Sequence, residues 1–271
     1  MSKIDADSRF KLPSSSSTSN FSIELNNTVE IEAGTNCYLS NVLIPNTWYT
    51  IEDTNDKLYI RIVRHVNFSS SDYIINLTHK NYDLTTFRDE LELKLDQLGI
   101  SFTVTFTPTS GTIAIMCNDT NVSFYLFTTE ELKTNVNNTW NGYYYPTNNS
   151  QSCNEMLRNS TGTSGEYRGT NVFLSGFVDV INHHSVYICS SLVANDSLGC
   201  RGETNIFKKV LVNANFGELI SDNAYHDHDY TTLPKSSLKI LDFSLRDVYG
   251  NEIDLHGSHI YFTLLFDRSK V

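Results

Sequence analysis

The sequence predicts an all-β fold, an antiparallel sandwich or barrel carrying a single amphipathic helix. Three observations point there. Apolar and polar residues alternate over short runs along most of the chain, and turn residues separate those runs at close intervals. Strand patterns also never alternate with helical ones, as parallel βαβ units require. Roughly ten short strands are expected.

Taken in order, Met1–Asn20 is polar and ends in a run of serines, so a flexible N-terminal arm is expected over residues 1–20. Strand signals begin at Phe21, Ile23 and Leu25, continue at Val29 and Ile31, and bend at Asn26–Asn27. Cys37–Ile51 is a long β-rich run broken at Pro45, which cannot donate to a ladder and marks an edge, a bulge or a corner. Leu58, Ile60 and Ile62 alternate next, then Tyr73–Leu77. The helix follows: Asp83 is its expected N-cap, Leu84, Phe87, Leu91, Leu95 and Leu98 recur at helical spacing, and Gly99 closes it. Its leucine stripe is expected to pack on a sheet.

Strands resume at Phe102–Phe106, turn at Pro108–Gly111, return at Ile113–Ile115, and recur at Val122–Leu126. Thr128 and Glu131 have the spacing of a capping box opening a short helix near Leu132. Residues 134–170 are rich in Asn, Thr, Ser and Gly, and a second polar connection covers 213–236; both read as long loops. Between them lie strands at Val172–Leu174, Val186–Leu192 and Ile206–Val212. The close is Leu238–Phe266. There Leu241, Phe243 and Leu245 alternate, Asp247–Asn251 turns the chain, and Ile260–Phe266 is apolar on both faces. Such a strand is expected at the centre of a sheet.

Composition limits the partners. The 271 residues carry a formal net charge of −11, with no cluster of Lys and Arg able to follow a phosphate backbone, so direct nucleic-acid binding is not expected. Charged residues are only 19% of the chain, leaving a surface of neutral polar groups suited to broad contacts. The five cysteines are scattered with no C-x-x-C pair, and the opening MSKIDADSRFK lacks an apolar leader core. Reduced thiols in a protein assembled inside the cell are expected. No apolar run approaches the roughly 18 residues a membrane span needs.

Chemistry-bearing motifs are few. His226–Asp227–His228–Asp229 offers two imidazoles and two carboxylates; in an extended segment His226 and His228 would face the same way toward a metal. With no third ligand cluster in view, a polar loop is the reading adopted. His183 and His184 are adjacent and would point apart. Gly162, Gly165 and Gly169 fit neither the dinucleotide nor the P-loop spacing. Arg201–Gly202–Glu203 reads as a turn. No catalytic, cofactor-binding or metal residues are assigned, and the chain is read as a non-enzyme without cofactor. Trp140 and Tyr143–Tyr145 supply the alternative, a glycan-binding or fibre-head-like attachment module in which aromatic faces stack on sugars.

Two stretches carry a family resemblance. One runs from VLIPNTWYTIED (Val42–Asp53) through YIINLTHKNYDLTTFRDELELKLDQLG (Tyr73–Gly99) to FTVTFTPTSGTIAI. The other is LKILDFSLRDVYGNEIDLHGSHIYFTLLF, with its turn frame at Asp247, Gly250, Ile253, Asp254, Leu255 and Gly257. Together they resemble the single jelly-roll minor capsid, or penton, proteins of Polinton-like viruses and virophages. The resemblance implies a jelly roll of two four-stranded sheets with the helix as an accessory, forming a single domain over residues 21–271. It also implies a homopentamer at the fivefold vertices of a virion, beside a double jelly-roll major capsid protein. The large receptor-binding insertion of adenoviral penton base and its Arg–Gly–Asp tripeptide are missing from this sequence.

Overall fold

Two separate sets of apolar residues divide the chain. The computed structural model describes residues 2–128, 131–132, 152–157, 171–193, 199, 204–223 and 230–268. They form two compact units, Met1–Trp48 with His183–Val271, and Tyr49–Asn182. Each unit has its own buried cluster, and no residue belongs to both. The expected single domain is thus corrected to two units: Tyr49–Asn182 carries enough apolar side chains to close its own core, and the accessory helix belongs to it.

In chain order the first strands are β1 (Ser2–Asp7), β2 (Asn20–Ile31) and β3 (Thr35–Pro45). The second unit supplies β4 (Lys57–Arg64), β5 (Ser69–Asn76), α1 (Leu84–Asp96), β6 (Phe102–Thr107), β7 (Thr112–Cys117), β8 (Val122–Leu126), α2 (Cys153–Leu157) and β9 (Val172–Leu174). The chain then returns through β10 (Ser185–Cys189), β11 (Ile206–Leu211), β12 (Leu219–Asp222), β13 (Thr231–Leu233), β14 (Ser236–Arg246) and β15 (Tyr261–Arg268). Every strand ladder described is antiparallel. The fold is a jelly-roll β-sandwich.

In the first unit one sheet has the order β1-β15-β3-β12, with β13 also paired to β3, and the other has the order β11-β10-β14-β2. The layers meet through aromatic rings. Phe21 and Phe243 are directly opposite in the β2–β14 ladder, and the Phe243 ring lies 4.8 Å from that of Phe262 on β15 in the facing sheet. Strand β15 lies between β1 and β3, with Phe262, Leu264 and Phe266 buried, as its two apolar faces predict. The turn before it also forms as read. The Asp247 Oδ1 accepts from the Tyr249 and Asn251 amides, both at 2.8 Å, and Gly250 takes φ 84°.

The flexible arm is a second correction. Ser2–Asp7 pairs along β15, burying Ala6, and the serine run after it is tied down. Leu12 N donates to Ser22 O at 2.7 Å, the Ser15 hydroxyl accepts from Ser22 N, and Ser19 and Asn20 donate to the Glu252 carboxylate. A central β15 needs a ladder partner on each side, and the alternation of Ile4 and Ala6 with Lys3 and Asp5 supplies one. The 213–236 loop is corrected likewise, because β12 and β13 lie within it and pair with opposite halves of β3. Of the 134–170 loop, only residues 152–157, which include α2, are described.

Two carboxylates on this N-terminal segment are held in their ionised form by hydrogen bonds. Asp7 accepts from the Arg9 guanidinium, with Nε 2.9 and 3.0 Å from its two oxygens, and this holds its carboxyl below the usual range. The Thr263 hydroxyl does the same for Asp5 at 2.8 Å. A depressed folded pKa adds stability that is complete above the unfolded value of about 3.9 and is lost as pH falls through the folded value. Asp7→Asn is therefore expected to flatten the fall in melting temperature on acidification below about pH 4, compared with the native chain.

In the second unit the sheets have the orders β5-β4-β8 and β6-β7-β9. The Phe102 and Phe124 rings meet edge-on at 5.4 Å between them. Helix α1 starts at a capping box in which Asp83 accepts from Thr86 N at 2.7 Å and Thr86 Oγ1 accepts from Asp83 N. It buries Phe87, Leu91 and Leu95 completely in the unit's core, as its spacing predicts. Gly99 ends it at φ 72°. Short helix α2 is pinned by one side chain. The buried Asn154 amide accepts from Tyr59 N and donates to Tyr59 O and Phe127 O, at 2.8, 2.8 and 2.7 Å, so it continues the ladder where β8 leaves β4.

Cys37, Cys117 and Cys153 are free and buried, and Cys189 is buried too. Burial pushes the Cys37 thiol up to about 12 and raises those of Cys117 and Cys153 too.

Candidate functional site

Most of the chemistry-bearing residues singled out in the sequence fall outside the described residues: His226–Asp229, Trp140, Tyr143–Tyr145, Gly162, Gly165, Gly169 and Arg201–Glu203. His183 and His184 are described and diverge as expected. His183 is buried with its ring 5.7 Å from Trp48, whereas His184 is exposed.

Sequence reasoning missed a group in the second unit formed by Asp53, Asp56 and His79, whose potential ligand atoms lie within 4.8 Å of one another. Asp53 and Asp56 follow Thr50 in a turn ordered by Asn55, whose Oδ1 accepts from Glu52 N at 2.8 Å and whose Nδ2 donates to Thr50 O at 2.9 Å. The Asp56 carbonyl accepts from Leu77 N, which brings His79 alongside. The imidazole then stands between two carboxylates, Nε2 3.1 Å from Asp56 and Nδ1 3.6 Å from Asp53. Lys57 Nζ takes the other Asp56 oxygen at 2.9 Å. A cation can draw on only one ring nitrogen, and here the two nitrogens face different acids while an ammonium already neutralises Asp56. The arrangement works as a brace between the 50–56 turn and the segment after β5. The 23 positions that separate Asp56 from His79 left no local spacing to read.

The surfaces are more distinctive. At the far end of β4 the chain turns through His65–Val66–Asn67–Phe68, closed by the Arg64–Ser69 pair. The turn is anchored: His65 N donates to Asn121 O at 2.8 Å, and the Asn67 Oδ1 accepts from the Ser69 amide and hydroxyl. Its two apolar side chains are nevertheless almost fully in water, Val66 at 81% and Phe68 at 89% exposure. Phe68 also has φ 51°, a left-handed conformation that costs a bulky residue about 1–3 kcal/mol. On the other sheet of the unit, Met116 on β7 and Val172 on β9 are opposite one another and both partly exposed. In the sequence a valine and a phenylalanine there read as core residues, because four-residue turns usually carry Gly, Asn and Asp.

Among the described residues, the first unit's sheets end at β11 and β2 in one and at β1 and β12 in the other, with Ser22 of β2 bonded to Leu12 and Ser15. Leu211 and Leu219 are exposed on two of these edge strands. Edge strands present backbone donors and acceptors to another chain.

No protein-family model matches this sequence, and no curated protein matches it. Among solved structures, the chain is similar to the crystal structure of the mavirus penton protein. The match has a TM-score of 0.53 at 9% sequence identity and covers 98% of this chain and 99% of that one. The likeness therefore spans both units, and this chain has a penton-like fold.

Proposed function

We propose that this chain is a structural capsid subunit: a penton-like minor capsid protein of the Polinton-like virus and virophage kind, located in the virion and neither enzymatic nor cofactor-dependent. Five copies close a ring at each icosahedral vertex, bordered by a double jelly-roll major capsid protein. The observation that carries this reading is a fold likeness to a penton protein that runs the whole length of both chains.

Physical features of the chain support it. A ring of odd number needs two different surfaces on each copy that complement one another. The edge strands of the β11-β10-β14-β2 sheet are such a pair, with Lys209 exposed on β11 and Glu30 exposed on β2. The neutral polar surface fits contacts of standard interface composition, and the net charge of −11 leaves genome binding to other proteins.

Mass photometry of the purified chain is expected to show a species five times the monomer mass, alone or with its major capsid partner. A monomer at high concentration in both settings, or particles whose vertices lack this protein, would refute the proposal.

A further inference from the structure

The 65–68 turn of the second unit has an apolar tip with no task inside the fold. We infer that it is a membrane-contacting tip, which seats Val66 and Phe68 in the headgroup layer of an anionic bilayer while Arg64 meets lipid phosphate.

Position supports this first. The second unit is joined to the rest of the chain at Tyr49 and Asn182. Strand β4 leads away from the first of these links, and its eight residues extend for about 25 Å before the turn. The tip therefore lies at the end of its unit opposite that link.

Shape and charge supply the rest. Val66 and Phe68 form a protruding knob that a soft interface receives without a matching socket. Around them the composition is that of a lipid-binding edge. Arg64 and His65 are exposed, and among the described residues neither forms an ion pair with a carboxylate. The Arg61 just before them is neutralised by Asp72, with Nε 2.6 Å from Oδ1, so Arg64 is the guanidinium free to engage a phosphate. Asn67, Ser69 and Ser70 complete a neutral rim suited to the interfacial zone. The adjoining turn bonded to His65 through Asn121 carries Asp119, whose carboxylate accepts from Asn121 N, so Arg64 and not a wider basic patch supplies the positive charge here. The left-handed backbone at Phe68 holds the ring outward, and the Asn67–Ser69 and His65–Asn121 bonds stiffen the base. One such tip binds weakly, but a ring of five gains from effective concentration. That last step rests on the proposed vertex assembly.

The test is co-sedimentation of the full chain with phosphatidylcholine vesicles, with and without phosphatidylserine, with the oligomeric state measured separately on the same sample. The native chain should sediment with the phosphatidylserine vesicles and be released by salt. Val66→Ser/Phe68→Ser should lower the bound fraction at least about tenfold, and Arg64→Gln several-fold. Phe68→Gly removes the ring while favouring the same backbone conformation, and it should lose binding without losing thermal stability. Full binding by either Phe68 variant would overturn the inference. So would a native chain, pentameric or not, that ignores both vesicle types, and the tip would then be assigned to a socket on a partner protein. Pentamers that fail to bind sink this inference alone; vesicle-bound monomers sink the vertex reading alone.

Discussion

Phe262→Ala is expected to destabilise the first unit by about 4 kcal/mol, a large share of the roughly 5–15 kcal/mol that holds a domain folded. Phe262 is fully buried on the central strand β15 and closes the gap between the layers. Its ring lies against Phe243 at 4.8 Å and Phe21 at 6.5 Å. Alanine leaves a cavity with strands on both sides, and β15 cannot move to fill it because β1 and β3 fix its register. Urea unfolding followed by circular dichroism checks the value, and Phe262→Leu should recover much of the loss. A penalty below about 1 kcal/mol for alanine would mean that the sheets do not meet at this ring.

Asn154→Leu is expected to cost the second unit about 3 kcal/mol, although leucine is the more apolar residue. The buried amide serves the Tyr59 N–H, the Tyr59 carbonyl and the Phe127 carbonyl together. Leucine removes the amide from the Tyr59 N–H and the Phe127 carbonyl, at about 1–3 kcal/mol for each buried group that finds no water, while the Tyr59 carbonyl keeps the Phe127 N–H at 3.3 Å. Asn154→Asp keeps the acceptor, loses both donors and buries a charge, so it should be at least as damaging at neutral pH. Chemical denaturation measures the loss. Hydrogen exchange at the Tyr59 amide locates it, because that proton should be selectively deprotected.

The parts of the fold that were legible in the sequence are those written in apolar periodicity. Helix α1, the β6–β7 hairpin and the β14–β15 ending form essentially where Leu, Ile and Phe spacing places them. Strands β1, β12 and β13 were not legible, since each shows the core only one or two apolar side chains and owes its place to hydrogen bonds demanded by a neighbour. The division into two units was hidden for a different reason. Pro45 signalled a corner, but nothing local says that the described residues of Tyr49–Asn182 then bury their apolar side chains among themselves before β10 resumes the first sandwich. The surface was hardest to read. Val66 and Phe68 look like core residues in a string of letters, and only the closed turn between β4 and β5 shows that they face water.

The buried thiols give each unit an internal clock. Cys37 and Cys189 lie in one unit and Cys117 and Cys153 in the other, and a thiol whose anion is suppressed by burial cannot react with an alkylating reagent until its surroundings open. With Cys200 changed to serine, the rate at which each pair acquires label reports how often that unit breathes. A bound neighbour, a lipid surface or a completed shell should each slow one pair or both, so the order in which the parts of this protein become rigid can be timed with thiols the chain already carries.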